Sequence, residues 1–288
     1  MKTGTITAST RLCAVIGNPV GHSLSPVLHN AAFDALDLDY VYVAFRVEDL
    51  KSALAGMRAL ENFRGMSVTI PHKIEAMNLV DEIGEVDRAI GSINTIINDN
   101  GRLIGLGTDG PGALKALTDA GVEITGRNVL MLGAGGAARA VAFTLARHTG
   151  LEKLVLMDID AAVLQGLTTD LQARTTAPAA GELLTDAALA QSMAHADIII
   201  NCTPVGMHPR EVASLVPPAL FRPGQTVFDI VYNPLETRLL AEARAAGLRV
   251  VSGVEMFINQ AVLQFQRFTG VDAPVDVMRR VVMEKLRG

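Results

Sequence analysis

The sequence contains few of the residues that mark several classes of protein. Its 288 residues include only two cysteines, Cys13 and Cys202, no tryptophan and 4% aromatic residues. Two cysteines in apolar stretches cannot form a disulfide framework, and without a C-x-x-C pair they predict neither zinc binding nor redox chemistry. The shortage of aromatic side chains argues against base stacking on single-stranded nucleic acid. A reducing compartment, the cytoplasm, is therefore expected.

Excess charge and long apolar runs are also absent. Lysine and arginine number 25 against 30 aspartates and glutamates, so the chain lacks the basic surface that nucleic acid or an anionic membrane requires. No apolar run approaches the ~18 residues of a membrane span, and the polar stretch 1–11 lacks the apolar core of a secretory signal. The six histidines show no metal-binding spacing, and no metal is expected. Hydrophobic residues make up 49% of the chain, which suits two domains of about 100–200 residues.

Short runs rich in valine and isoleucine alternate with longer stretches of helical period. Strands are predicted in two series, at 12–16, 40–45, 66–70, 93–97 and 102–106, and at 128–132, 153–157, 197–201, 226–231 and 248–252. Helices are predicted at 26–36, 48–60, 137–147, 236–246 and, broken near 270–274, at 255–286. The stretch 109–112 is predicted as a turn between the series, and 173–180 as a surface loop. The alternation predicts an α/β fold with parallel sheets covered by helices.

A glycine-rich segment, Gly133-Ala134-Gly135-Gly136-Ala137-Ala138, follows a predicted strand and precedes a predicted helix. It fits the G-x-G-x-x-A turn that lets backbone approach a pyrophosphate at a helix N-terminus. Asp158 ends the next strand, where a carboxylate can bind a ribose hydroxyl. The alternative is a tight turn that packs helix on strand without a ligand.

The same region bears on the choice of cofactor. Asp158 and Asp160 would repel a 2′-phosphate, and no arginine stands beside them. NAD is therefore expected as the cofactor, in preference to NADP. The alternative for Asp160 is that it caps a helix and points to solvent.

Further polar segments follow the strands of the first series and recur near the end of the chain. They are Gly17-Asn18-Pro19, Ser23-Leu24-Ser25-Pro26, Val68-Thr69-Ile70-Pro71-His72-Lys73, Gly91-Ser92-Ile93-Asn94-Thr95, Thr108-Asp109-Gly110, Val231-Tyr232-Asn233-Pro234 and Gln260-Ala261. In this order they resemble the shikimate dehydrogenase family over residues 15–270. The resemblance implies reversible oxidation of a ring hydroxyl of shikimate, or of a related cyclic polyhydroxy carboxylate, with a nicotinamide cofactor.

The resemblance also implies the domain organisation. An N-terminal α/β substrate-binding domain would comprise residues 1–109, completed by a returning C-terminal helix within 254–288. A Rossmann dinucleotide-binding domain would comprise residues 110–253, with the active site in the cleft between the domains. The partner is a small cyclic hydroxy carboxylate, and a monomer or homodimer without nucleic acid or membrane is expected.

Individual roles follow from the same resemblance. The catalytic proton-transfer pair would be Lys73 and Asp109. The substrate would be bound by the carboxylate anchors Ser23 and Ser25, by the hydroxyl-orienting residues Thr69, Asn94 and Gln260, and by Tyr232, which would close over the carboxylate. The cofactor would be bound by Gly133, Ala134, Gly135, Gly136, Ala137, Asp158, Thr203 and Gly253.

Several alternatives remain open for these residues. Lys73 and Asp109 would form an ordinary salt bridge if they were not catalytic, and His72 is the next candidate acid–base. A serine before Pro26 can cap a helix, which is more plausible for Ser25 than for Ser23. Arg139 would either touch a phosphate or pack on its helix.

Two positions depart from the family pattern. Ser67 and Gly107 stand where the family usually has asparagine, and both are smaller. We expect extra room or a water there, weaker control of the ring hydroxyls, and a quinate- or aminoshikimate-type substrate as the alternative. A different alternative is a sensor that binds NAD and a shikimate-like ligand without turnover. Retention of Lys73 and Asp109 argues against the sensor, since binding alone needs no proton transfer.

Overall fold

The computed structural model describes residues 6–287, and residues 1–5 of the polar N-terminal stretch lie outside the described part. The chain divides into two compact units. The first ends at Thr108 and resumes at Gln260, and the second is Asp109–Asn259. The functional domain boundaries expected from the sequence, after residues 109 and 253, stay a prediction. Within residues 6–287, no helix is both long and apolar enough to cross a bilayer.

The first unit is built on a six-stranded sheet in the order β2-β1-β3-β5-β6-β4. Its strands are β1 (Arg11–Gly17), β2 (Tyr40–Arg46), β3 (Phe63–Val68), β4 (Glu82–Ile83), β5 (Thr95–Asp99) and β6 (Arg102–Leu106). Strands β1, β2 and β3 are parallel, but β5 runs antiparallel to both β3 and β6. The sheet of this unit is therefore mixed, whereas the sequence predicted parallel sheets.

The antiparallel pair has a local cause. Asn100 and Gly101 join β5 to β6, and both have positive φ, 51° and 87°. Two successive residues of positive φ form the tight turn whose twist matches an antiparallel hairpin. The chain therefore reverses at once, without a crossover helix.

Within the described residues, the first unit contains five α-helical segments and an aromatic cluster. The helices are α1 (Ser25–Ala35), α2 (Leu50–Arg58), α3 (Glu85–Ile90), the later part of α9 (Gly253–Thr269) and α10 (Val275–Arg287). Pro26 lies in the first turn of α1, where its missing N–H costs nothing. His29 of α1 stacks on Tyr42 of β2, with ring centroids 4.4 Å apart, and Phe265 and Phe268 of α9 complete the cluster. The packing holds α1 and α9 beside the sheet.

The second unit has a six-stranded parallel sheet in the order β12-β11-β10-β7-β8-β9. The strands are β7 (Asn128–Leu132), β8 (Lys153–Asp158), β9 (Ala179–Leu183), β10 (Ile198–Asn201), β11 (Thr226–Asp229) and β12 (Arg249–Ser252). The helices are α4 (Asp109–Asp119), α5 (Gly136–His148), α6 (Ala161–Arg174), α7 (Asp186–Met193), α8 (Arg238–Ala245) and the start of α9. This order is a doubly wound Rossmann-type sheet whose strand order reverses between β7 and β10.

Two local predictions are wrong in this unit. The stretch 109–112, predicted as a turn, begins α4, and the predicted loop 173–180 runs into the edge strand β9. Glycine and proline at 110–112 resemble a turn, but Gly110 is needed for packing: a Cβ there would overlap Thr144 Oγ1 and lie 2.6 Å from Ala140 O of α5. Strand β9 is short and rich in alanine, so its β-propensity is low.

Candidate active site

Two serines lie at the start of α1. The Ser23 hydroxyl accepts a hydrogen bond from the Ser25 N–H at 3.3 Å, while the N-cap residue Leu24 makes no side-chain cap. Ser23 therefore makes the capping interaction, and Ser25 does not. The sequence had favoured Ser25 over Ser23 as the capping residue. Both hydroxyls stand where the helix dipole favours an anion, which suits a carboxylate.

The segment after β3 carries Thr69, His72 and Lys73. The Thr69 N–H donates to Ile16 O at 2.9 Å, and Gly17 leaves the space that the Thr69 methyl group occupies. His72 is 3% exposed and its Nε2 hydrogen-bonds to the carbonyl oxygen of Val47 at 2.8 Å. The ring is thus turned into the protein, which disfavours a catalytic part for His72. Lys73 is half-buried, and its carbonyl oxygen accepts from Ile93 N–H at 3.0 Å.

A group of buried amides and hydroxyls lies at the start of β5. The Thr108 N–H donates to Asn94 Oδ1 at 2.7 Å, and Asn94 Nδ2 donates to Thr108 Oγ1 at 2.9 Å. Asn94 Nδ2 also approaches Gln260 Oε1 at 3.5 Å. Two residues that the sequence assigned to the substrate are therefore together, joined by Thr108, which the sequence placed in a polar segment without giving it a role of its own. Such fixed amides can discriminate strongly between ring hydroxyl patterns.

Side chains distant in sequence lie beside the two departures from the family pattern. Ser67 Oγ accepts from the Tyr42 hydroxyl at 2.6 Å and donates to Gln264 Oε1 at 2.7 Å. A Cβ at Gly107 would lie 2.8 Å from Asp87 Oδ1, and the φ of Gly107 is not in the left-handed region. Side chains distant in sequence therefore lie beside both positions, and the expected extra room or water stays a prediction. Burial raises the pKa of Asp87, against the effect of its hydrogen bond with the Gly107 backbone.

The glycine loop of the second unit fits a pyrophosphate. Gly133 has φ of 101°, which favours glycine, and a Cβ there would lie 3.0 Å from the Cys202 carbonyl carbon. A Cβ at Gly135 would meet no atom within 4 Å, so this side of the loop is open. Helix α5 begins at Gly136, and its N-cap, Gly135, offers no side-chain cap. An open backbone turn at an uncapped helix N-terminus suits a phosphate group.

The carboxylates near this loop accept hydrogen bonds from backbone N–H groups. Asp158 Oδ2 accepts from Ala134 N–H at 2.7 Å, and Oδ1 accepts from Asp160 N–H at 2.9 Å. Asp160 is the N-cap of α6 and accepts from the Ala162 and Val163 N–H groups. Asp158 therefore ties the glycine loop to the turn before α6, and Asp160 takes the capping alternative. Arg139 forms an ion pair with Asp170 and covers the Phe143 ring, which supports the packing alternative.

A buried carboxylate organises the loops at the ends of β10 and β11. Asp229 Oδ1 accepts from Asn201 Nδ2 at 2.9 Å and from Val231 N–H at 3.0 Å, and Oδ2 accepts from Thr237 Oγ1 at 2.6 Å. Asn201 Oδ1 in turn accepts from the Thr203 hydroxyl at 2.7 Å. Sequence reasoning missed Asp229, although an acid at the end of an apolar strand is an available signal. Burial raises its pKa to about 6.

Tyr232 and Gly253 lie beside this carboxylate network. Tyr232 follows Val231 and stacks on Phe257 with ring centroids 4.6 Å apart, and burial raises its pKa. Gly253 begins α9, and a Cβ there would overlap Ile230 O. The network around Asp229 therefore holds the loops that carry Thr203 and Tyr232.

Replacing Asp229 by asparagine is expected to change how stability depends on pH. Its pKa rises from 3.8 to about 6 on folding, so between these values the folded protein holds a proton that the unfolded chain has released. The unfolding free energy should therefore fall as pH rises from 3.8 to 6, by up to about 1.4 kcal/mol per pH unit. Asp229→Asn should lose this slope. At neutral pH it should also cost about 1–3 kcal/mol, because its amide would face other donors.

Urea unfolding of both proteins across this pH range measures the effect. Comparing the slopes cancels every other titrating group. Equal slopes in the two proteins would contradict the prediction.

Three family models match the chain. The shikimate dehydrogenase substrate-binding domain matches residues 15–96, and the shikimate 5′-dehydrogenase C-terminal domain matches residues 253–283. The saccharopine dehydrogenase NADP-binding domain matches residues 129–216.

Relatives and solved structures agree with these matches. Shikimate dehydrogenase (NADP(+)) of Moorella thermoacetica is 45% identical over 283 residues, which cover 98% of this chain and 95% of that protein. A crystal structure of shikimate 5-dehydrogenase from Listeria monocytogenes, in complex with shikimate and NAD, is 36% identical with a TM-score of 0.90, and covers 97% of this chain and 99% of that one. Quinate dehydrogenase from Corynebacterium glutamicum, in complex with NAD, is 30% identical with a TM-score of 0.89. The match covers 96% of this chain and 99% of that one.

The expectation of NAD as the preferred cofactor is wrong. Relatives at 39–45% identity are named shikimate dehydrogenase (NADP(+)), and the family model over residues 129–216 is an NADP-binding domain. The expectation rested on repulsion by Asp158 and Asp160. In the structure both carboxylates accept backbone N–H groups, which compensate part of their charge, so counting acidic residues overstated the repulsion.

The first unit carries the serines, Asn94 and Gln260, and the second carries the glycine loop on a parallel sheet. The matched family models cover both the N-terminal and the C-terminal parts of this arrangement. Identity of 45% to a curated relative extends over 98% of the chain. The chain belongs to the shikimate dehydrogenase family, the NAD(P)-dependent oxidoreductases that act on CH–OH groups.

Proposed function

We propose that the protein reversibly oxidises a ring hydroxyl of shikimate with NADP⁺ as the second substrate. The observation that carries the proposal is the group formed by Asn94, Thr108 and Gln260, whose buried amides and hydroxyl are fixed by hydrogen bonds. A polyhydroxylated ring needs such a set of oriented donors and acceptors, whereas a simple alcohol does not. The relatives named above support shikimate as the acid.

Substrate binding would use the first unit. Ser23 and Ser25, at the start of α1, would hold the carboxylate, because hydroxyl donors and a helix N-terminus both favour an anion. Thr69, Asn94 and Gln260 would orient the ring hydroxyls. Tyr232, stacked on Phe257 in the second unit, would donate its hydroxyl to the carboxylate.

Cofactor binding would use the second unit. NADP⁺, when bound, supplies the acceptor for the hydride that leaves the carbinol carbon. The loop from Gly133 to Ala137 would carry the pyrophosphate, and Asp158 would keep that loop in place through its bond to the Ala134 N–H. Thr203 and Gly253 would line the remainder of the cofactor site.

Proton transfer would be the task of Lys73 and Asp109. Oxidation of CH–OH to a ketone releases a proton together with the hydride, and Lys73 would take that proton from the hydroxyl oxygen. In the reduction Lys73 would return it. Asp109 would orient the lysine and accept a hydrogen bond from a substrate hydroxyl. The substrate-binding domain would then be residues 1–109 with 254–288, and the NADP-binding domain residues 110–253.

The test is a kinetic comparison of shikimate and quinate, each with NADP⁺ and NAD⁺, followed by the absorbance of the reduced nicotinamide. We expect shikimate with NADP⁺ to give the highest kcat/KM, within the usual ~10⁴–10⁸ M⁻¹s⁻¹ range. A higher kcat/KM with quinate would favour the second candidate, which the likeness to the Corynebacterium quinate dehydrogenase supports. Binding of shikimate without turnover would identify a sensor instead of an enzyme.

A further inference from the structure

A buried chain of hydrogen bonds joins Tyr42 to Asn94 within the first unit. The Tyr42 hydroxyl donates to Ser67 Oγ at 2.6 Å, and Ser67 Oγ donates to Gln264 Oε1 at 2.7 Å. Gln264 Nε2 donates to Thr95 Oγ1 at 2.9 Å and to Asn94 O at 3.3 Å. Thr95 Oγ1 donates to Asn94 Oδ1 at 3.1 Å. The chain therefore ends on the amide that the proposed function assigns to the substrate.

The direction of each bond follows from its neighbours. Burial raises the pKa of Tyr42, so its hydroxyl stays a neutral donor. Ser67 Oγ accepts that hydrogen bond and donates its own hydroxyl hydrogen to Gln264 Oε1. A flipped Gln264 would set its carbonyl oxygen against the carbonyl oxygen of Asn94, which is repulsive. All members are buried, Gln264 being 1% exposed, so water cannot relieve such a mismatch.

A buried histidine, His29, lies beside this chain of hydrogen bonds. His29 stacks on Tyr42, and neither ring nitrogen has a hydrogen-bond partner among the described residues. Burial lowers the pKa of His29 to about 3, although the nearby Gln264 amide acts in the opposite direction. The imidazole is therefore neutral at working pH.

The chain of hydrogen bonds fixes the orientation of the Asn94 side-chain amide. Thr95 accepts from Gln264 and so directs its own proton to Asn94 Oδ1, which also accepts from the Thr108 N–H. With its carbonyl oxygen held by two donors, Asn94 turns its Nδ2 toward Gln260 Oε1. Gln260 and Gln264 are one helical turn apart on α9, so both amides reach the same site.

We infer that Gln264 is a positioning residue for substrate recognition, which acts by fixing the amide orientation of Asn94. The inference rests on the proposed function, because it takes Asn94 as a ligand of the ring hydroxyls. Gln264 sets which side of Asn94 is a donor, and thereby the hydroxyl pattern that the site accepts. Ser67 contributes to the same positioning, since its hydroxyl donates a hydrogen bond to Gln264 Oε1.

The test compares three variants of the full-length protein. Gln264→Met keeps the length of the side chain and removes both amide functions. Gln264→Glu keeps an acceptor for Ser67 but loses the donor to Thr95. Gln225→Met is the matched control: Gln225 is 3% exposed in the second unit, and its Nε2 donates to the carbonyl oxygens of Met193 and Ala196.

Both Gln264 variants should raise KM for shikimate about tenfold, the factor that corresponds to ~1.4 kcal/mol. They should also reduce the ratio of kcat/KM for shikimate to that for quinate. KM for NADP⁺ should stay within about twofold of the unmodified value, since the glycine loop belongs to the other unit. Gln225→Met should lower the thermal unfolding temperature without changing either KM.

Three results would overturn the inference. One is a folded Gln264→Met protein with unchanged KM and unchanged substrate ratio. Another is a Gln225→Met protein whose KM for shikimate rises by the same factor, because the effect would then be general destabilisation. If the unmodified protein neither binds shikimate, by titration calorimetry, nor turns it over, the proposed function fails and this inference fails with it.

Discussion

Replacing Lys73 by methionine is expected to lower kcat for shikimate oxidation by about 10²–10⁴, the contribution of a positioned general acid–base. Methionine matches the length of the lysine stem but cannot take or return a proton. KM for NADP⁺ should change by less than about twofold, because Lys73 and the glycine loop are in different units. Steady-state kinetics with both substrates varied measures these effects.

The control for this prediction is Lys51→Met, on the exposed side of α2 in the same unit. It removes the same charge and should leave kcat unchanged. If Lys73→Met retained most of its activity, proton transfer would have to be assigned elsewhere. His72 would then be the next candidate, despite its bond to the Val47 carbonyl oxygen.

Replacing Gly135 by valine is expected to raise KM for NADP⁺ by about 10–150-fold, which corresponds to losing ~1.5–3 kcal/mol of hydrogen bonding to a charged group. A Cβ at this position meets no protein atom within 4 Å, so the substitution should fold normally. The added methyl groups would occupy the side of the loop that suits the pyrophosphate. KM for shikimate, measured at saturating NADP⁺, should hardly change.

Gly166→Val is the matched control for this effect. Gly166 is exposed on α6 in the same unit, and a Cβ there also meets no atom within 4 Å. Both variants should unfold near the temperature of the unmodified protein. Equal KM values for NADP⁺ in the two variants would show that the loop around Gly135 does not receive the cofactor.

Elements that depend on short-range physics were predictable. The buried strands of the second unit appear as continuous apolar runs, because a parallel sheet is covered on both faces. The glycine loop was recognisable because a strand, a residue of positive φ and a helix start must follow one another within a few residues. The reversal at Asn100 and Gly101 carried an equally local signal, the Asn-Gly pair, and should have predicted the antiparallel hairpin.

The state of single polar groups was not predictable in the same way. Asp158 and Asp160 were expected to repel a 2′-phosphate, with helix capping as the alternative for Asp160. In the structure they accept hydrogen bonds from backbone N–H groups of the glycine loop and of α6. Ser67 and Gly107 were interpreted from their size alone, whereas Ser67 donates to Gln264 and Asp87 lies beside Gly107. In each case the hydrogen-bond partner or neighbour is distant in sequence or belongs to the main chain. The identity of a side chain does not indicate such a partner.

The sequence alone therefore determined the α/β class, the family and the segments that carry the candidate site, since these follow from periodicity and from motifs that each lie within about ten residues. Tertiary structure alone decided which donor faces which acceptor. The Thr108 N–H donates to the side-chain oxygen of Asn94, and Gln264 of α9 donates to the main-chain oxygen of Asn94, across 14 and 170 residues of sequence. Only the packing of α9 beside the sheet brings these groups within hydrogen-bonding distance, and burial then makes each bond direction matter.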